Sequence, residues 1–106
     1  MSLTVTATLN NLAGSADVGY AVFTLVGYGN NVPRINGAVI SVLSVKATAN
    51  GSGLISQTIV GNDVITPAGT SYAVQIYSDS GALISTGRYT FTGSGSVDLS
   101  TLTPSN

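Results

Sequence analysis

Turn-forming clusters of Gly, Asn and Asp interrupt this chain at short intervals, and residues branched at Cβ dominate the stretches between them. Thirteen Thr, twelve Val and seven Ile make up 32 of the 106 residues. Two heavy atoms on Cβ restrict χ1 in a helix but pack well on a pleated surface. Glu is absent, and Lys, Arg, Gln and Met together number six, so strong helix formers are scarce. With thirteen Gly and three Pro as punctuation, the chain reads as an all-β domain of short, mainly antiparallel strands.

The first strand spans Ser2–Leu9, where Leu3, Val5, Ala7 and Leu9 alternate with Thr4, Thr6 and Thr8. The second runs from Gly19 to Tyr28. Ala21, Phe23 and Leu25 lie on one of its faces, and Tyr20, Val22, Thr24, Val26 and Tyr28 on the other. Gly27–Gly37 reads as a long loop carrying Asn30-Asn31, Pro33-Arg34 and Asn36-Gly37, and Ala38–Thr48 as a third strand apolar on both faces. Ala49–Gly53 carries the signal of a type I′ hairpin, because Asn and Gly tolerate positive φ. Leu54–Val60 is the fourth strand. Turns at Gly61–Asp63 and Ile65–Gly69 follow, and Pro67 argues against a strand there because it lacks an N–H and holds Thr66 extended. The fifth strand, Thr70–Ser78, directs Tyr72, Val74 and Ile76 inward. After a turn at Asp79–Gly81, Leu83–Thr92 and Ser96–Leu99 complete about seven strands. That number and spacing fit a β-sandwich better than a barrel. Residues 1–102 form one domain, with 103–106 as a C-terminal tail.

Composition excludes most chemistry. There is no His, Cys or Trp, which removes disulfides, thiolate zinc sites and every Cys- or His-based catalytic arrangement. Asp17, Asp63, Asp79 and Asp98 are isolated beside turns and read as local backbone acceptors. A calcium site at Asp63 or Asp79 would lack the acidic density of an EF-hand loop. Gly51-Ser52-Gly53 and Gly93-Ser94-Gly95-Ser96 lack a phosphate-loop lysine, and the sequon Asn50-Gly51-Ser52 reads as a turn. A Ser–Lys dyad at Lys46 has no specific support. An isopeptide bond from Lys46 to an Asn would need an Asp as its acid. No catalytic, cofactor-binding or metal-binding residue is therefore expected, and the chain is not expected to be an enzyme.

Three cations cannot neutralise a nucleic-acid backbone. No run of about 18 apolar residues is present for membrane insertion. The opening Met1–Thr6 has neither a basic segment nor a long apolar stretch, so no signal peptide is expected. Only 7% of residues are charged, against roughly 25% in typical soluble domains. A chain apolar on both faces of its second and third strands, with so few charges, is expected to use its surface as a protein interface. The candidate residues are Tyr20, Val22, Val26, Tyr28, Ile40, Val42 and Tyr77, with the Gly27–Gly37 loop as a second contact. Tyr28 and Tyr77, beside Asn and Gln residues, also suit a carbohydrate. Tyr72 is expected in the core, its hydroxyl on a backbone partner.

The segment from Gly61 through Asn62-Asp63, Thr66-Pro67-Ala68-Gly69-Thr70 and Tyr72 to Tyr77 precedes Asp79-Ser80-Gly81 and Gly95-Ser96-Val97-Asp98-Leu99. Together with the Ala49–Gly53 hairpin, it resembles the small immunoglobulin-like or transthyretin-like β-sandwich modules of tailed-bacteriophage virion proteins. These include tail fibres, baseplate parts and capsid decorations. The resemblance spans residues 18 to 102 and is strongest over 61–77. It implies a structural or receptor-facing role without catalytic residues, in a virion assembled in the host cytoplasm. Implied partners are other virion proteins and further copies of the chain, with a host-surface glycan as a further ligand. The alternatives are a carbohydrate-binding or adhesin module, or a subunit of a non-phage surface filament.

Overall fold

The computed structural model describes residues 2–10, 12–93 and 95–101. The expected tail at 103–106 lies outside them. The strands are β1 (Ser2–Thr8), β2 (Tyr20–Val26), β3 (Arg34–Ile35), β4 (Ala38–Val39), β5 (Ser44–Thr48), β6 (Leu54–Val60), β7 (Ile65–Thr66), β8 (Ser71–Tyr77), β9 (Leu83–Tyr89) and β10 (Gly95–Asp98). Short 3₁₀ turns occupy Asn62–Val64 and Leu99–Thr101. The chain is all-β, and every strand pairing is antiparallel except β1 with β10.

Two larger sheets carry the fold, one ordered β10-β1-β6 and the other β5-β2-β8-β9. Period-two alternation gives each an apolar face. Leu3, Val5 and Ala7 of β1 and Ile55 and Ile59 of β6 meet Ala21, Phe23 and Leu25 of β2 and Tyr72 and Val74 of β8 in one shared core. Phe23, Val5 and Ile55 are completely buried. Continuous register from Ser2↔Val60 to Thr8↔Leu54 holds β1 to β6, since a slip of one residue would turn Val5 and Ile55 out of the core.

A third small sheet, β4-β3-β7, replaces part of the expected loop and breaks the expected third strand. Asn36 and Gly37 take φ of 52° and 81°, the double positive φ of a type I′ hairpin. They fold Ala38–Val39 back onto Arg34–Ile35. Residues 40–43 then run irregularly, with the Ile40 N–H donating to Pro33 O and the Leu25 N–H to Leu43 O. Strand pairing resumes at Ser44. The expected strand-free turn at 65–69 also needs correcting, because Ile65 and Thr66 pair with β3. Pairing stops at Pro67, which has no N–H to give.

The β5–β6 connection is not the expected hairpin, because β5 pairs with β2 and β6 with β1 in different sheets; it is a tight turn that carries the chain from one sheet to the other. Asn50 O accepts from the Gly53 N–H, and the Asn50 side chain accepts from the Ser52 and Leu54 N–H groups. Gly53 supplies the positive φ, 78°, and an added Cβ there would collide with Leu9 O. Asparagine thus acts through its side chain rather than through a left-handed backbone.

Candidate functional site

Every second residue of β5, β2, β8 and β9 points away from the core and builds one outer face. Its rows follow from register: Thr48, Tyr20, Tyr77 and Leu83; then Lys46, Val22, Gln75 and Thr86; then Ser44, Thr24, Ala73 and Arg88. Two cations stand in these rows and no carboxylate does. The Tyr20 and Tyr77 rings stack at 4.7 Å between centroids and 15° between planes. Lys46 Nζ lies 4.3 Å from the Tyr20 centroid. Because β5 and β8 flank β2 on opposite sides, the ammonium and Tyr77 cover opposite faces of the Tyr20 ring. Diagonal neighbours across antiparallel strands come within reach of side chains this long. Thr24 and Ser44 share a hydrogen bond of 3.0 Å, and Leu83 is 51% exposed.

The face gathers four of the seven candidate interface residues: Tyr20, Val22, Val26 and Tyr77. Tyr28 and Ile40 pack against the core cluster instead. Val42 is exposed but belongs to the irregular 40–43 segment, so it joins no sheet face. An apolar cavity of about 220 Å³ separates β5 from β6, with Phe23, Leu43, Val45, Ile59 and Val42 in its lining. Tyr72 also lines it and donates its hydroxyl to Val60 O at 2.7 Å. Burial holds that hydroxyl above the ordinary tyrosine pKa by disfavouring the phenolate.

Two of the carboxylates, Asp17 and Asp63, act over longer range than expected. Asp17 Oδ1 accepts from the Asp79 N–H at 2.9 Å, and Asp63 Oδ2 from the Gly93 N–H at 3.1 Å. Each ties its own loop to a distant one instead of closing a local turn. No three carboxylates converge among the described residues. Lys46 stands on the exposed face against Tyr20, which is not the buried setting an isopeptide lysine requires.

Reading the sequence missed two contributions. Leu83, Thr86 and Arg88 complete the outer face, yet β9 is mostly exposed on both sides, so its pattern does not declare which side matters. Asn62, read as a turn residue, is a buried pin. Its Nδ2 donates to Thr70 Oγ1 at 3.0 Å, and its Oδ1 accepts from the Phe91 N–H at 2.9 Å. No periodicity signals a role of that kind. No family model, curated protein or solved structure matches the chain.

Proposed function

We propose that this chain is a non-enzymatic structural or interaction module of a bacteriophage virion: a tail-fibre, baseplate or capsid-decoration part. In this reading its two larger sheets form an immunoglobulin-like or transthyretin-like sandwich of seven strands, and it works as an oligomer or a particle-bound subunit. The observation that carries the reading is the outer face of β5-β2-β8-β9, where Tyr20, Tyr77, Val22 and Leu83 adjoin one another without a carboxylate. Interface cores are enriched in tyrosine and arginine, and Arg88 stands in the same rows. The resemblance over 61–77 supplies the virion context.

Purified particles test the context directly. Mass spectrometry should find the chain in virions from a lysate of cells carrying its gene, and its absence from particles overturns the virion assignment. Light scattering tests the surface. Apolar association should persist equally in low and high salt, because screening weakens charge pairs and leaves apolar burial intact. Val22→Asp should weaken self-association or particle docking through this face, and an unchanged variant overturns the assignment of the face. The carbohydrate reading is less well supported, since Tyr77 has a ring face stacked on Tyr20 and Tyr28 packs against the core cluster, and sugars stack on open ring faces. Glycan-array binding that Tyr77→Ala abolishes would reverse that preference.

A further inference from the structure

The cavity between β5 and β6 owes its existence to the break in the expected third strand. Pairing of β5 with β2 ends at Ser44↔Thr24, although β2 continues to Val26. Beyond that point only the Leu43 carbonyl, accepting from the Leu25 N–H, follows β2 on this side. Across the sandwich, β6 keeps its pairing with β1 as far as Val60. One sheet therefore stops short of the other. The space of about 220 Å³ left between them is closed at one end by Ile35, Ile40 and Ile65 around the small sheet.

Depth and mouth are distinguishable by burial. Phe23, Leu25, Ile59 and Tyr72 line the inner part and are buried in the core. Val42, 74% exposed, and Thr58, also exposed, border the opening. The lining is apolar apart from three hydroxyls, and each of these is already engaged. Tyr72 donates to Val60 O, Ser44 shares a hydrogen bond with Thr24, and Thr58 one with Thr4. No charged side chain among the described residues lines the space.

Water needs two to four polar partners to occupy a cavity, whereas apolar cavities of about 150 Å³ take up benzene. The larger space here has room for one ring carrying a short alkyl group. Phe23 and Tyr72 form aromatic walls, which favour a ring over a chain of equal size through edge-to-face contact. We propose that the cavity between β5 and β6 binds a small neutral aromatic molecule, a single ring with a short alkyl substituent. Binding restores the dispersion contacts that the side chains around a void forgo. A carboxylate or ammonium on the ligand would lose its hydration without gaining a partner. The site lies on the inner side of β2 and β8, opposite the outer face, and does not depend on the virion reading.

Toluene is a suitable probe, with the full chain labelled at its Ile, Leu and Val methyl groups for NMR. Titration should move the Leu43, Val45 and Ile59 methyls saturably and leave those of Ile84, exposed on β9, in place. Benzoate, the same ring bearing a carboxylate, should bind at least tenfold more weakly. Val45→Phe should fill the space and weaken toluene binding at least tenfold with unchanged circular dichroism. Ile40→Phe fills it from the small-sheet end and gives the same reading where Val45→Phe fails to fold. Absence of a saturable shift up to the solubility of toluene, equal shifts at Ile84, benzoate binding as tight as toluene, or undiminished binding by the folded Phe variants overturns the proposal. Dilution without toluene that moves the same methyls shows that a second copy fills the space, and overturns it as well. Any of these failures leaves the outer face standing, and loss of the outer-face reading leaves this test unchanged.

Discussion

The two faces of the β2–β8 pair are built from adjacent residues of the same strands, yet they do different work. Inward, Ala21, Phe23, Leu25, Tyr72 and Val74 are buried in the common core. Outward, Tyr20, Val22, Gln75 and Tyr77 remain partly open, with Tyr20 stacked on Tyr77 and capped by the Lys46 ammonium. The inner face obtains its stability from complete removal of apolar area from water. The outer face gains only the modest energy of exposed pairs. A surface that adds little to folding is free to change for the sake of a partner, which is why the candidate site belongs there.

That contrast can be broken by substitution, beginning with the largest effect. Phe23→Ala leaves a cavity in a fully buried site and should cost about 3–5 kcal/mol, read from the denaturant midpoint. A loss under about 1 kcal/mol would erase the distinction between the faces. Asn62→Ala strands the Phe91 N–H and removes the partner of Thr70. About 1–3 kcal/mol should go by the same measurement, and no loss would show that water replaces the amide.

Tyr72→Phe deletes the bond to Val60 O and should cost about 1 kcal/mol at neutral pH. Its pH dependence sharpens the comparison. The folded pKa is raised above the ordinary value of about 10. The contribution of Tyr72 is therefore fully present below pH 10 and is lost as pH rises from there through the folded pKa. Thermal melts between pH 9 and 12 should fall less steeply for Tyr72→Phe than for wild type. Lys46→Gln removes only the cation over Tyr20 and should cost about 0.5 kcal/mol. A larger loss would mean that the outer face stabilises the monomer itself.

Legibility followed the range of the interaction. Strand β6 at Leu54–Val60, the inward row Tyr72 and Val74, and the position of the turn around Asn50 could be read directly, because period-two alternation and turn chemistry are local; that β5 and β6 enter different sheets, so that this turn closes no hairpin, could not. The break in the third strand was also written locally, in Asn36-Gly37, but that signal reads equally as part of a loop until Arg34–Ile35 pairs with both Ala38–Val39 and Ile65–Thr66. The roles of Asp17 and Asp63 were not legible at all. Their acceptor bonds reach loops 62 and 30 residues away, and no spacing in the chain announces a contact of that separation.

By itself the sequence determined the fold class, most strand positions and the absence of His- and Cys-based chemistry, since these depend on side-chain type, alternation and turn geometry within a few residues. Tertiary structure alone decided that β2 and β8 share one outer face, that Tyr20 contacts both Lys46 and Tyr77, and that β5 and β6 enter different sheets. Each of these depends on which distant strands become neighbours. That choice comes from cooperative burial of the shared core, which no single segment encodes.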